Sequence, residues 1–344
     1  MGPEVGGISL RNICKVFGRE PGAHVEAVRR GEGKAELLAR TGHVIGLRDV
    51  SLDVAAGRIQ VIMGLSGSGK STLIRHINRL IEPTAGDIRV DGKDILSLGA
   101  RELREFRQRQ MAMVFQKFAL LPHRTVLGNV GYGLEIRGTS TTERQDIAHR
   151  WIHRVGLDGF ADKYPNQLSG GMQQRVGLAR ALATETPILL MDEAFSALDP
   201  LIRLDMQSML IDLQRDIGRT IVFITHDLGE ALRLGDRVAI LRDGELIQDG
   251  APSDILLRPA DPYVESFVRE VNRGRVLSVG SLAGPTNGTA AIALAADLTL
   301  EAAARRMTDV GADIADIIDA GGNRVGQVDL RGIVAAMVTP AKAA

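Results

Sequence analysis

The sequence predicts an α/β protein whose central sheet is mainly parallel and covered on both faces. Three observations lead there. The apolar runs Ile188-Leu189-Leu190-Met191 and Ile221-Val222-Phe223-Ile224 are continuous rather than alternating and each is followed by polar residues, the mark of strands buried on both sides. Helix-like segments alternate with such runs, the ordering that joins parallel strands by crossover helices. A further apolar segment, residues 57–63, leads straight into a glycine-rich turn and then a helix-like stretch from Ser71 to Leu80.

Composition narrows the field. At roughly 150 residues per domain, 344 residues suggest about two domains, and a 44% hydrophobic content is ample for a packed core. Forty-two basic and 42 acidic side chains cancel, which gives no global electrostatic case for a nucleic-acid partner and makes any anion site local. Uninterrupted apolar stretches such as Ile221 to Ile224 or Ala290 to Ala296 are far below the roughly 20 residues of a membrane-spanning helix. Met1-Gly2-Pro3-Glu4 lacks the basic start and apolar run of a secretory signal, and the lone Cys14 cannot form an intrachain disulfide, so a reducing cytoplasm is expected.

Taken in order, residues 8–17 and 44–54 read as strands between Gly and Asp breaks. Between them, Arg19 to Gly42 is polar with weak helical periodicity around Ala23 to Arg40, and it reads as a surface insertion. Gly86 to Val90 with Asp91-Gly92 is a strand ending in a tight turn, and Arg101 to Gln110 is a charged helical face. The stretch from about Leu127 to Gly177 looks helical, with Thr142 to Val155 amphipathic. Val238 to Leu241 and Glu245 to Gln248 form a terminal hairpin through Asp243-Gly244. Texture changes near Asn272-Arg273-Gly274, beyond which Ala, Gly and Asp dominate.

The glycine-rich turn Gly64-Leu65-Ser66-Gly67-Ser68-Gly69-Lys70-Ser71-Thr72 satisfies the P-loop pattern in its required place, after a strand and before a helix. Glycines let backbone amides curl around phosphate oxygens, the helix presents its positive end, and Lys70 adds a cation near the terminal phosphates. Ser71 supplies a hydroxyl ligand for magnesium. The metal's acidic partner is expected at the end of another buried strand, where Asp192 follows Ile188 to Met191 and Glu193 stands beside it. Alone, that pair would pass for two solvated acids; beside a P-loop they divide into an orienter of the metal's water shell and a general base, Glu193. A second small-residue turn, Gln167 to Arg175, also runs into a helix and points amides outward, although most such turns are simply helix caps.

Through Leu168-Ser169-Gly170-Gly171-Met172-Gln173-Gln174-Arg175 the sequence resembles the ATP-binding subunits of ABC transporters, whose signature segment these residues match. The resemblance implies that ATP and Mg2+ are the cofactors and that two copies pair head to tail, Ser169, Gly170, Gly171 and Gln173 of one copy completing the ATP site of the other. It also implies roles elsewhere. Gln116 resembles the Q-loop glutamine that senses magnesium and the attacking water beside the docking groove of a membrane permease. Ser196-Ala197-Leu198-Asp199 resembles the D-loop that crosses the dimer interface, and His226 resembles the switch histidine on the γ-phosphate. Phe17 would match the aromatic that stacks on adenine, with a plain core phenylalanine as the other reading. The catalytic set implied is thus Glu193, His226 and Gln116; the nucleotide set adds Phe17, Gly64, Ser66, Gly67, Ser68, Gly69, Lys70, Ser71, Thr72 and Asp199; the metal set is Ser71, Gln116 and Asp192.

The insertion, the phrase Asn78-Arg79-Leu80-Ile81-Glu82-Pro83-Thr84, Ala112 to Gln116 followed by Phe118-Ala119-Leu120, and Met191 to Arg203 together are similar to the glycine betaine, proline and choline importers. The expected architecture is an ATP-binding domain over residues 1–272, with a parallel sheet core, an antiparallel β subdomain, an insertion at 19–42 and a helical subdomain at about 117–177. A partial CBS-like α+β module at 275–344 comes next, drawn from a helix at Leu298 to Arg306, strands at Ile314 to Ile318 and Asn323 to Asp329, and a closing helix at Arg331 to Val338. Residues 275–344 hold six cationic and seven anionic side chains, so a basic salt-sensing surface is not expected; a dimerisation or stability appendage and a reduced regulatory module both remain open. The implied partners are a second copy, an integral permease and, indirectly, a substrate-binding protein, at the cytoplasmic face of the inner membrane. The other reading is a soluble ABC ATPase acting on nucleic acid or ribosomes, against which one cassette, one cysteine and no heptad run all argue.

Overall fold

The computed structural model describes residues 6–116, 119–196, 198–269, 271–285 and 290–338. Met1 to Glu4, Phe118, Ala197 and Lys342 lie outside them. The described strands are β1 (Ile8–Phe17), β2 (Val44–Val54), β3 (Ile59–Met63), β4 (Ala85–Val90), β5 (Lys93–Asp94), β6 (Met111–Val114), β7 (Ile188–Asp192), β8 (Thr220–Thr225), β9 (Arg237–Arg242), β10 (Glu245–Gly250), β11 (Ile292–Ala295), β12 (Ile314–Ile318) and β13 (Arg324–Asp329).

The chain divides into two compact units, one comprising residues 1–227 and 234–246, the other 228–233 and 247–344. In the first, a sheet of order β10-β9-β3-β8-β7-β6 carries the nucleotide motifs, β10 continuing past the division at Leu246. Its inner strands run parallel, with Met63 opposite Thr225 and Asp192 opposite Ile224. Every residue of β3, β7 and β8 is buried, as their unbroken apolar runs require. A second, antiparallel sheet has the order β2-β1-β4-β5. Its inner face (Leu10, Leu47, Leu52, Ile88) joins Ile62, Leu73, Ile74 and Leu190 in one apolar core, which fixes the glycine-rich turn against both sheets.

Both Asp-Gly signals are two-residue hairpin turns. Asp91 and Gly92 have φ of 50° and 76°, Asp243 and Gly244 of 53° and 90°, the doubly positive backbone that matches strand twist. The helical region resolves into Val126–Val130, Tyr132–Ile136, Thr141–Arg154 and Gly170–Ala183. The insertion folds as two short helices, Val25–Arg29 and Lys34–Thr41. It is more than surface: Val28 and Leu37 are fully buried against Val16 and Ile45, a small core of its own. Strand β6 carries no clear sequence signal because it is four residues long and buried only at its two ends.

In the second unit, β11 pairs parallel with β12, and β12 antiparallel with β13. Helices Leu300–Asp309 and Leu330–Val338 accompany them, their buried residues including Leu300, Met307 and Ile333. The two helices and the two strands β12 and β13 stand where the sequence predicts them; β11 lies inside the apolar run Ala290 to Ala296, whose alanines carry little strand preference. The division falls at Leu246, ahead of the change in texture at 272–274, because helices Pro252–Leu257 and Pro262–Val268 group by contact with the C-terminal elements.

Candidate active site

The turn after β3 is shaped by its glycines. Gly64, Gly67 and Gly69 have φ of 155°, 79° and 103°, a region that L side chains rarely enter. A Cβ on Gly64 would lie 2.3 Å from the Leu241 carbonyl oxygen, and one on Gly69 2.8 Å from the Gly46 carbonyl oxygen. The loop therefore arches tightly over the head of helix Lys70–Ile77, with Ser66 and Gly67 exposed at its crest and Ser68 buried beneath. Lys70 is 4% exposed and reaches back to donate to the carbonyls of Gly64 (2.8 Å) and Leu65 (3.0 Å). Burial pushes its ammonium below the usual lysine range, and the Glu193 and Asp192 carboxylates partly offset that.

Strand β7 delivers the acids to the same place. Asp192, 3% exposed, accepts from the Ser71 hydroxyl at 2.8 Å through Oδ1 and from Arg75 at 3.1 Å through Oδ2. Glu193 lies 3.8 Å from the Lys70 ammonium and 3.8 Å from His226 Nδ1, and it accepts from the Gln116 amide at 3.1 Å. Four sequence-predicted residues from four segments thus come together, with one carboxylate at their centre. Glu193 itself has φ of 47°, a left-handed backbone at the strand end that turns its side chain out of the strand pattern. The Ser196 hydroxyl and amide both donate to the Glu193 carbonyl, which fixes that bend.

These donors fit magnesium with a nucleoside triphosphate. The glycine arch has no room for side chains at Gly64 and Gly69, the Ser68 hydroxyl is buried without a partner, and the Ser71 and Asp192 oxygens stand together as a hard-oxygen pair of the kind magnesium takes alongside phosphate oxygens. Thr72 comes next in the helix, its carbonyl 2.6 Å from His76 Nδ1.

The signature turn is built differently. Ser169 caps helix Gly170–Ala183, its hydroxyl accepting from the Met172 amide at 3.3 Å, and it is exposed. The Gln173 side-chain amide turns back to the carbonyls of Pro165 and Leu168. Gly171 is buried with Ile202 so close that a Cβ would meet it at 2.9 Å, and Arg175 pairs with Asp205. The signature helix is therefore locked to the helix Pro200–Ile217, whose N-cap is Asp199, accepting from the Ile202 amide at 3.2 Å. Among the described contacts, none joins Ser169 or Gly170 to the phosphate loop. Phe17 is 40% exposed at the end of β1 with the Lys15 ammonium 5.1 Å from its ring centroid, so it is no core residue.

Two contributors escaped sequence reasoning. Arg75 fixes Asp192, and Arg203 spans the Ser196 and Leu198 carbonyls while lying 3.6 Å from Asp227, bracing the segment before Asp199. Arg75 stands one helical turn beyond Ser71, which is a usable signal; Arg203 has none in the local sequence.

Residues 47–196 match the family model described as ABC transporter. Among curated relatives, the glycine betaine transport ATP-binding protein OpuAA of Bacillus subtilis is 54% identical over 80% of this chain and 66% of its own length. The glycine betaine/proline betaine transport system ATP-binding protein ProV of Escherichia coli is 51% identical over 81% of this chain and 70% of its own. The chain thus spans about two thirds of the length of these relatives. The trimethylamine N-oxide transport system ATP-binding protein TmoW of Ruegeria pomeroyi is 46% identical over 94% of this chain and 95% of that protein. Among solved structures, the ATP-binding cassette MJ0796, dimeric in a post-hydrolysis state with ADP and Pi, superposes with a TM-score of 0.61 at 34% identity, over 71% of this chain and 98% of that one. A P-loop closed by Lys70, a β7 carboxylate pair and a capped signature helix, together with these identities, place this chain in the family of ABC transporter ATP-binding subunits, within the branch of quaternary-amine importers.

Proposed function

We propose that the chain is the ATP-hydrolysing subunit of an importer for glycine betaine, choline, proline or a related methylated amine, working through a separate permease. The observation that carries this reading is the convergence of Lys70, Gln116 and His226 on Glu193 beside the Ser71–Asp192 pair. The loop amides and Lys70 bind the phosphates. Ser71 and Asp192, with Gln116, would hold magnesium, which would supply charge neutralisation at the phosphate oxygens. Glu193 takes the proton of the attacking water, the Gln116 amide and His226 orient that water and the γ-phosphate, and Phe17 stacks on the adenine.

Two copies pair head to tail, so that Ser169, Gly170, Gly171 and Gln173 of one face the phosphate loop of the other, with Asp199 at the seam. Support comes from geometry: Ser169 and Gly170 are exposed and held rigid by the Gly171–Ile202 and Arg175–Asp205 contacts. A cavity of about 210 Å3, lined by Arg107, Met113, Tyr132, Ile136 and Arg180, adjoins β6, the strand that leads to Gln116, and suits a permease segment. Among the described residues no helix is long and apolar enough to cross a membrane. Attachment to the cytoplasmic face of the membrane is assigned to that partner. We assign residues 1–272 to the ATPase and 275–344 to a CBS-like appendage that stabilises the pair. No observation favours a soluble ABC ATPase acting on nucleic acid or ribosomes.

The solute is tested by uptake into proteoliposomes carrying the reconstituted complex, with choline, glycine betaine, proline and trimethylamine N-oxide as competitors. The last is included because the relative that matches the chain almost end to end serves it. ATP-dependent uptake inhibited by at least one of these is expected; uptake blind to all four would remove the substrate class.

A further inference from the structure

The insertion between β1 and β2 reaches the phosphate loop. From the first residue of helix Lys34–Thr41, the Lys34 ammonium donates to the Gly67 carbonyl at 3.2 Å and lies 3.8 Å from Asp243. The next carbonyl of the loop, that of Ser68, accepts from the Gly244 amide at 2.9 Å, and the Gly244 carbonyl accepts from the Arg48 amide at 2.8 Å. Arg48 closes the ring, its guanidinium donating to the Glu32 carbonyl in the insertion and pairing with Glu245 at 2.7 Å. Glu32 is held in turn by Arg40 at 2.7 Å, and Val28 and Leu37 anchor the whole segment in its small core.

Both carbonyls at the apex of the loop are thus drawn outward by partners beyond it. In a planar trans peptide the N–H points opposite to the C=O, so a carbonyl pinned outward aims the following amide inward. The Ser68 amide does turn inward, donating to the Leu65 carbonyl at 3.1 Å. Gly67 has no side chain to hold it and nothing within 4 Å of where a Cβ would sit, so its peptide to Ser68 is held by its two polar ends, the amide on Leu65 inside the loop and the carbonyl on Lys34 outside it.

We propose that the insertion is a clamp on the phosphate cradle and that Lys34 is its positioning residue, raising ATP affinity by holding the crest of the loop in its arch through the Gly67 carbonyl and by setting a cation at the cradle's mouth. This rests on the reading of that loop as the ATP site. The test titrates the full-length chain with ATP in EDTA, where hydrolysis is blocked, and measures steady-state turnover with MgATP. For Lys34→Met the dissociation constant and KM for ATP rise about tenfold, the scale of one lost hydrogen bond from a charged donor. kcat changes by less than about twofold, the pattern of lost ground-state binding. Lys34→Arg, which keeps a donor, returns affinity to within about threefold of the unsubstituted chain. If the unsubstituted chain binds ATP and Lys34→Met binds within about twofold of it, or if Lys34→Arg binds as poorly as Lys34→Met, the clamp is overturned. Failure of the unsubstituted chain to bind ATP would sink the cradle reading instead.

Discussion

Two glycine-rich turns open two helices in this molecule, and they use glycine for opposite reasons. In the cradle, Gly64, Gly67 and Gly69 all carry positive φ, and the first and last have backbone oxygens where a side chain would begin. In the signature turn, Gly170 and Gly171 are ordinary helical residues; Gly171 is small because Ile202 lies against it, whereas Gly170 has nothing within 4 Å. The cradle's glycines are thus demanded by the chain's own conformation. Nothing within one copy demands Gly170, which is what a residue reserved for another copy's phosphates would look like.

The wiring differs in the same way. In the cradle Ser71 and Lys70 find partners inside the chain, on Asp192 and on the loop carbonyls, while among the described contacts the Ser169 hydroxyl caps its own helix. One turn is wired within the chain; the other, in the proposed pair, would complete the partner's site.

Substitutions can sharpen or break that contrast. The largest effect is expected at Glu193→Gln, with ATP turnover falling about 10²- to 10⁴-fold, the worth of a general base, while ATP affinity is kept. Unchanged turnover in a coupled phosphate-release assay would remove Glu193 from that role and with it the self-sufficiency of the cradle half.

Acid should unsettle the cradle before the signature turn. His76 closes the cradle helix, is fully buried, and has its pKa lowered from 6.5 to about 4 by desolvation, which outweighs its Nδ1 contact to the Thr72 carbonyl. Above pH 6.5 it is neutral in both folded and unfolded chains, and its full stability contribution is present. As pH falls from 6.5 towards 4 the unfolded chain takes up a proton that the folded chain refuses, so up to about 3 kcal/mol is lost. Urea unfolding across that range checks the slope, and His76→Gln should flatten it.

Paired glycine substitutions come next. Gly64→Ala should cost about 1–3 kcal/mol of stability from backbone strain and abolish ATP binding. Gly170→Ala should leave stability within about 0.5 kcal/mol and ATP binding by the single copy intact, yet slow turnover if the proposed pair forms the working site. Thermal melts with ATP titration read both, and equal behaviour of the two variants would erase the distinction. Smaller than the strain at Gly64 is the effect of Ser169→Ala, where loss of the N-cap destabilises by about 1 kcal/mol, measurable in the same melts; a greater loss of ATP-dependent dimer in size-exclusion chromatography is expected alongside it.

Much of this was readable in advance because the cradle is contiguous. Strand, glycine turn, Lys70 and Ser71 are neighbours along the chain, so local rules apply to them. Asp192 was legible for a related reason: an acid that closes a buried apolar strand sits at the carboxyl end of the sheet, where it can face a ligand. The contacts that hold these residues in place were not legible. Arg203 on the Ser196 and Leu198 carbonyls and Lys34 on Gly67 depend on which loops meet, and a lone Arg or Lys in a polar stretch looks like any solvated charge. The short β6 and β11 were hidden because four residues carry too little periodicity to separate strand from loop.

By itself, then, the chain of residues determined what depends on backbone sterics and local hydrophobic pattern: buried strands, Asp-Gly hairpins, the arching phosphate loop and the capped signature helix. Only the folded molecule decided which carboxylate oxygen meets which donor, that Gln116, Lys70 and His226 share Glu193, and that the insertion grips the loop at Gly67. Local sterics act over a few residues at fixed separation, whereas a hydrogen bond across 77 positions, as from Gln116 to Glu193, exists only after the parallel sheet has brought the ends of β6 and β7 side by side.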